Sequence, residues 1–280
     1  MNRRKLLKKL RHQHQIKHQP TYIEQLKKYY HLFNHYLTIK FLINNVLESD
    51  RLLQKKQLPQ DLPELLLPDD IQDVIFKRVN AKYPKGDSRG DRIWNRYTNA
   101  LPKLDKLLRS YRDYLEAEYG MWAYISAPFT ADLAHFIGNH QALEVMAGNG
   151  YISKGLRQHG AKVFCTDSLE WAHQNETGKH LVTYVEKLDA LTAFQKYQNQ
   201  ISYIIMCWSP DGVPIDWQLL QTIRQSGKDI PMIVIGEKNG ATNSKQFWHH
   251  AHFITNDRIK KLNRHHRSFD LIHDHVYLVK

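Results

Sequence analysis

The chain has 280 residues, 42% of them hydrophobic and 24% charged, which suits one large or two modest soluble domains and excludes disorder and collagen-like repetition. No apolar run approaches the roughly 20 residues that span a bilayer, and Met1-Asn2-Arg3-Arg4-Lys5 leads into polar and basic residues instead of a signal-peptide stretch, so a cytoplasmic protein without a membrane partner is expected. Lys and Arg number 40 against 28 Asp and Glu, a net charge of +12, and residues 1–120 carry 24 basic and 14 acidic side chains where residues 121–280 carry 16 and 14.

The basic first part shows a helical period, as in Ile23, Leu26, Tyr30, Phe33, Leu37 and Phe41, and no strand pattern. Several helices are expected. Breaks fall at Pro20, at Pro59, Pro63 and Pro68, at Pro84-Lys85-Gly86-Asp87 and at Pro102, and Asp69-Asp70 ahead of Ile71 reads as a helix start. Arg3-Arg4-Lys5, Lys8-Lys9, Arg11 and Lys27-Lys28 precede Tyr29-Tyr30, while Lys77-Arg78, Arg89, Arg92 and Arg96 surround Trp94 and Tyr97. Basic residues interleaved with aromatics suit a phosphate backbone with base stacking, so nucleic acid is the expected partner of these helices. A solvated basic surface is the plainer alternative.

Near residue 120 the texture changes to short Val- and Ile-rich runs alternating with helix-like stretches, the mark of a parallel α/β sheet. We therefore divide the chain into a helical basic N-terminal domain, 1–119, and an α/β domain, 120–280. The expected strands are Ala142 to Met146, Lys162 to Thr166, Leu181 to Val185, Ile201 to Cys207, Met232 to Ile235 and Val276 to Val279; the expected crossover helices are Ser153 to His159, Leu169 to Asn175, Trp217 to Arg224 and Ser244 to His250. Cys165 and Cys207, the only cysteines, lie inside two of those strands, which excludes a disulfide framework. As a residue closing an apolar run, Cys207 reads as a small buried hydrophobe and not as a nucleophile.

The first strand runs through Glu144-Val145-Met146 into Ala147-Gly148-Asn149-Gly150, a turn that opens a helix. Gly148 and Gly150 leave room for a ligand to approach the backbone, and Glu144 can accept a hydrogen bond from a cationic group. Asp167 ends the second strand, placed to accept both hydroxyls of a ribose, and Asp189 follows the third. Three successive βα units thus deliver a glycine turn or an acid to the carboxyl edge of a parallel sheet, where open α/β sheets bind ligands.

This order of residues resembles the class I S-adenosylmethionine-dependent methyltransferases, whose first motif is an acid, an apolar residue and Gly-x-Gly-x-Gly; here Met146 stands at the first glycine. The resemblance covers about residues 120–280 and implies a Rossmann-like methyltransferase sheet with S-adenosylmethionine as cofactor. It places Glu144 near the amino acid end, Gly148 and Gly150 with Ala147 and Asn149 along the cofactor, Asp167 at the ribose hydroxyls, and Asp189 and Ala190 at the adenine, with Ser168 and Cys207 as further cofactor-binding residues. At the fourth strand the resemblance implies a substrate-facing motif, of which Ser209-Pro210 fits, with Asp211 in place of a second proline and Trp208 before the motif instead of after it. Ser209 and Pro210 are then the expected catalytic residues, with Trp208 and Asp211 as substrate contacts. Trp208 has two open readings, stacking on a planar substrate or shaping a turn.

After the fifth strand, Gly236-Glu237-Lys238-Asn239-Gly240-Ala241-Thr242-Asn243 reaches the same edge, with Glu237 either a base or orienting acceptor, or part of a loop in which Thr242 or Asn243 caps a helix. Upstream, Trp122, Tyr124 or Phe129 would close the pocket or pack in the core. His249-His250-x-His252 and His265-His266 lack a Cys or carboxylate at ligand spacing, so no metal is expected. The expected function is methyl transfer, with nucleic acid (RNA or DNA) as an acceptor class. The rivals are a non-catalytic nucleic-acid-binding protein keeping this sheet, and a nicotinamide-dependent oxidoreductase, for whose Gly-x-Gly-x-x-Gly fingerprint Ser153 takes the third place.

Overall fold

A computed structural model describes residues 20–280; the basic groups from Arg3 to Arg11 lie outside the described residues. Five helices come first: α1 (Tyr22–Leu32), α2 (Leu37–Gln54), α3 (Ile71–Lys82), α4 (Ser88–Arg109) and α5 (Tyr111–Tyr119). Thr21 opens α1 with a capping box, its hydroxyl accepting from the Glu24 N–H while the Glu24 carboxylate accepts from the Thr21 N–H. The expected break at Pro102 does not occur. The ring removes one hydrogen-bond donor, but α4 runs through it because Leu101, Leu104 and Leu108 are buried on one face. The proline-rich stretch before α3 is extended, and it crosses to the far end of the chain: Leu65 donates its N–H to the Phe269 carbonyl at 2.8 Å.

Gly120 ends α5 in the left-handed conformation, φ 55°. Helix α6 (Ala127–Ile137) then leads into β1 (Gln141–Val145), α7 (Tyr151–Gln158), β2 (Lys162–Asp167), β3 (Glu186–Lys187), α8 (Ala190–Tyr197), β4 (Tyr203–Cys207), α9 (Ile215–Gln225), β5 (Met232–Gly236), α10 (Lys245–His250), β6 (Phe253–Ile254), α11 (Asp257–Leu262) and β7 (His275–Val279). These strands form one sheet in the order β3-β2-β1-β4-β5-β7-β6, with β3 to β5 parallel and β7 antiparallel to its neighbours. This is the α/β, Rossmann-like sheet expected from the sequence, closed at one edge by an antiparallel strand pair.

Alternation along the central strands sorts the core into two layers. Leu143, Val145, Ile204, Met206, Met232 and Val234 face α8, α9 and α10, while Ala142, Ile205, Ile233 and Ile235 face the other side. On that side the apolar cluster runs without interruption from Leu26 of α1 through Leu104, Phe129 and Leu156 to Leu278 of β7. The N-terminal helices therefore pack into the same core as the sheet.

Two further expectations are corrected. The third strand is Glu186–Lys187, not Leu181 to Val185, because Val182 and Thr183 are taken by the β1–α7 loop and by Arg157. Leu169 to Asn175 holds only a short 3-10 turn, Glu170–His173, since Leu169 sits in the left-handed region at φ 59° and stops a regular helix. The short strand β6 and helices α8 and α11 add to the expected elements. No helix among the described residues is long and apolar enough to cross a membrane.

Candidate active site

At the carboxyl edge of the parallel strands lies a cavity of about 610 Å³, lined from the loops after β1, β2, β3 and β4, from Gly120 to Ile125, and from Ala241. The β1–α7 loop turns on three left-handed residues, Met146 (φ 52°), Gly148 (φ 54°) and Gly150 (φ 83°). Met146 thus adopts at the motif's first glycine position the backbone conformation that glycine accepts without strain. Added to Gly148, a Cβ would stand 3.0 Å from Thr177 Cγ2, and added to Gly150 it would meet Thr183 Cγ2 at 2.9 Å.

Asp167 locks this loop to the next one. Its Oδ2 accepts from the Gly148 N–H at 2.8 Å and its Oδ1 from the Leu169 N–H at 2.7 Å. Burial pushes its pKa up, against the pull of those two N–H groups. A carboxylate offers about four acceptor positions, of which these two N–H groups use two, and Asp167 lines the cavity.

Glu144 is 2% exposed. Its Oε2 accepts from the Ser153 N–H at 2.8 Å and from the Ser153 hydroxyl, which ties the end of β1 to the first turn of α7. Burial raises its pKa to about 7, with the Ser153 hydrogen bonds acting in the opposite direction. Asp189 caps α8, its Oδ1 accepting from the N–H groups of Leu191 and Thr192 at 3.0 Å and its Oδ2 from the Thr192 hydroxyl at 2.6 Å; these bonds hold its pKa below the ordinary range.

The β4–α9 loop opens with Cys207, whose thiol is pushed far up by burial and is no thiolate. Trp208 follows at φ 53°. Its indole N–H donates to Asp274 Oδ2 at 2.8 Å, the Arg112 guanidinium lies 4.7 Å from its ring centroid, and Trp122 lies 6.3 Å away. Ser209 is 1% exposed and its hydroxyl has no partner. Its carbonyl accepts from the Asn243 N–H at 2.8 Å, and Pro210 forms a β-bridge with Thr242, so the loops after β4 and β5 are joined across the edge.

The cavity thus brings together Glu144, Ala147, Gly148, Asp167, Ser168, Asp189 and Ala190 with Cys207, Trp208, Ser209, Pro210 and Asp211. Three expected site residues do not line it. Asn149 is buried, donating to the carbonyls of Tyr119 (2.8 Å) and Glu176 (3.1 Å). Gly150 faces Thr183 and Val185. Glu237 accepts from the N–H groups of Ala241 and His273, both at 2.9 Å, and so holds the β5–α10 loop shut. Of the upstream aromatics, Trp122 lines the cavity and donates to Thr177 Oγ1 at 2.9 Å, while Tyr124 and Phe129 are in the core. Trp171, Gln174 and Thr177 also line it. They belong to the irregular segment between β2 and β3, whose expected helix over Leu169 to Asn175 gives no indication that they face a cavity.

Charge distinguishes this cavity from the molecule around it. In a chain of net charge +12, its lining holds Glu144, Asp167, Glu170, Asp189 and Asp211 and not one Lys, Arg or His. Among the described residues no group of three or more His, Cys, Asp and Glu side chains is placed to hold a metal. His265 instead pairs with Asp132 at 2.7 Å.

No family model matches the sequence, and no curated protein matches it. Among solved structures, TehB from Haemophilus influenzae is similar over 60% of this chain and 66% of its own, at 14% identity and a TM-score of 0.31. M. capricolum TrmK in complex with S-adenosyl-homocysteine is similar over 54% and 67%, also at 14% identity and 0.31. The plantazolicin methyltransferase BpumL in complex with the same molecule is similar over 75% and 96%, at 11% identity and 0.34. The chain spans about two-thirds of the length of the first two.

Proposed function

We propose that the chain is an S-adenosylmethionine-dependent methyltransferase. The observation that carries this reading is the acidic cavity: a ligand bearing a sulfonium and an ammonium is complementary to a lining of five acidic side chains with no basic one among them, whereas the pyrophosphate of a nicotinamide dinucleotide is not. The residues fit such a ligand. Gly148, where a side chain would crowd Thr177, leaves the backbone open, and the two unused acceptor positions of Asp167 match the two hydroxyls of a ribose.

When bound, S-adenosylmethionine supplies a methyl group that is already electrophilic, so the chain's own task is alignment and exclusion of water. Ser209, buried with its hydroxyl free, accepts a hydrogen bond from the nucleophile of the methyl acceptor and fixes its approach. Pro210, bridged to Thr242, holds that hydroxyl in place. Trp208 offers a ring face to a planar acceptor, with Asp211 at the outer rim. Glu237 acts at one remove, holding the loop that presents Ala241 to the cavity.

Calorimetric titration with S-adenosylhomocysteine, with NADH as the control ligand, tests the reading. Saturable binding of the first alone is expected, and Asp167→Ala weakens it by about 100-fold, the size of two lost hydrogen bonds to a charged group. Binding of NADH alone, or of neither ligand, overturns it.

A nucleic-acid acceptor is a second reading, favoured by the solvent-facing Lys27, Lys28, Lys77, Arg78, Arg92 and Arg96 on the helices. The aromatics between them are half-buried: Trp94 packs edge-on against Phe76 and Tyr97 lies 5.4 Å from Phe33, so phosphate contact and not base stacking is what this face offers. Affinity for an oligonucleotide that falls steeply with salt is the expected sign; salt-independent or undetectable binding removes this reading.

A further inference from the structure

Beside the acidic cavity, across the loop that follows β5, lies a second one of about 720 Å³, and Asp211 belongs to both walls. Its lining has the opposite character. Lys238, Lys245, His249 and His250 face Asp211 as the single carboxylate. Neither lysine has an ion-pair partner among the described residues; Lys238 rests its ammonium 4.0 Å from the centre of the Phe253 ring, and Lys245 is exposed.

Among the described residues, three of the five buried side-chain polar atoms without a hydrogen-bond partner lie in the wall between the cavities. Ser209 and Asn243, joined by the hydrogen bond between their backbones, are each 1% exposed, and the Ser209 hydroxyl and both polar atoms of the Asn243 amide have no partner. Ser209 lines the acidic cavity and Asn243 the basic one. Asn243 is moreover held at φ 66°, a conformation that asparagine tolerates better than most residues. Buried polar groups are ordinarily paired, and three such atoms at one seam, on both of its sides, mark a place completed by a ligand.

We infer that the basic cavity holds an oxyanion, a phosphate or carboxylate, carried by a small methyl acceptor whose reacting group lies against Ser209 in the neighbouring cavity. This rests on the methyltransferase reading for the acceptor's identity but not for the anion site itself. The amide N–H₂ of Asn243 and the ammonium groups of Lys238 and Lys245 are the donors to the oxyanion, with the two imidazoles beside them. The division of charge then orients the acceptor: its anion is drawn to one cavity and kept out of the other by Asp167, Glu170 and Asp189, which line that one alone.

The test is an NMR titration of the full chain with pyrophosphate and, separately, with malonate, following the His249 and His250 imidazole signals identified through His249→Gln and His250→Gln. A saturable shift with at least one of the two anions is expected, weakened about tenfold in Lys238→Gln/Lys245→Gln and unchanged in Lys103→Gln/Lys106→Gln, a control pair exposed on α4. Pyrophosphate alone indicates a phosphorylated acceptor, and malonate alone an acid. No saturable shift with either, or equal weakening in both double variants, overturns the inference as bulk attraction to a basic protein. S-adenosylhomocysteine titrated into the same samples separates the two failures: its binding without anion binding sinks the anion site only, and anion binding without it sinks the cofactor reading only.

Discussion

Glu144 is the residue where position and protonation meet. Its folded pKa is raised to about 7 from an ordinary 4.5, so between those values the native state keeps a proton that the unfolded chain has lost, and stability falls as pH rises through this window. At 1.36 kcal/mol per unit the loss is about 3 kcal/mol, complete above pH 7. Glu144→Gln, which cannot ionise, is expected to remove this slope: the difference in urea-unfolding stability between variant and wild type grows across pH 4.5 to 7 in favour of the variant. A constant difference would mean that Glu144 is ionised throughout. Asp167 carries the opposite kind of expectation. Asp167→Ala leaves the Gly148 and Leu169 N–H groups without their acceptor, at about 1–3 kcal/mol each, so the S-adenosylhomocysteine titration of that variant is to be made below its unfolding midpoint. Both acids were legible in the sequence because each ends a strand. Met146 was legible only as a departure from a motif, and the left-handed backbone beneath it required the fold.

At the scale of elements, strands read well where both faces are buried and poorly where they are not. β1, β4 and β5 are largely buried on both sides of the sheet, so their runs are mostly apolar, broken in β1 by Glu144, and their bounds fall within two residues of the expected ones. β3 is two residues at the sheet's edge, half-buried Glu186 and exposed Lys187, and has no such run to betray it. The lining residues Trp171, Gln174 and Thr177 went unread for the same reason: what places them is tertiary, the Trp122 hydrogen bond to Thr177 and the Asn149 amide against Glu176. One glycine shows how closely two elements approach. Gly155 of α7 faces Thr130 of α6, and a Cβ there would stand 2.4 Å from Thr130 Cβ. In an open helix Gly→Ala stabilises by about 1 kcal/mol; here Gly155→Ala is expected to lower stability by about 1–3 kcal/mol through overpacking, read as a reduced denaturation midpoint. A stabilised variant would show that α6 and α7 separate freely.

At the scale of the whole molecule, the division at residue 119 marks a change of sequence texture that the packing does not repeat. Arg112 of α5, 4% exposed, donates to both carboxylate oxygens of Asp270 at 2.6 and 3.0 Å and to the Trp122 carbonyl at 2.6 Å, with Asp274 3.9 Å away. One guanidinium thus joins the N-terminal helices, the segment before β7 and, through its stacking on Trp208, the wall of the acidic cavity. Periodicity cannot reveal such a link, because its partners lie 158 residues apart. Removing the cation leaves Asp270 and Asp274 buried and uncompensated, a loss of about 3–5 kcal/mol. If helices and sheet are one cooperative unit, as their continuous core implies, Arg112→Ala lowers the midpoint of a single transition, and far-ultraviolet ellipticity and tryptophan fluorescence still change together. Were the helices an independent domain, the same substitution would split the two signals, with one following the helices and the other the sheet.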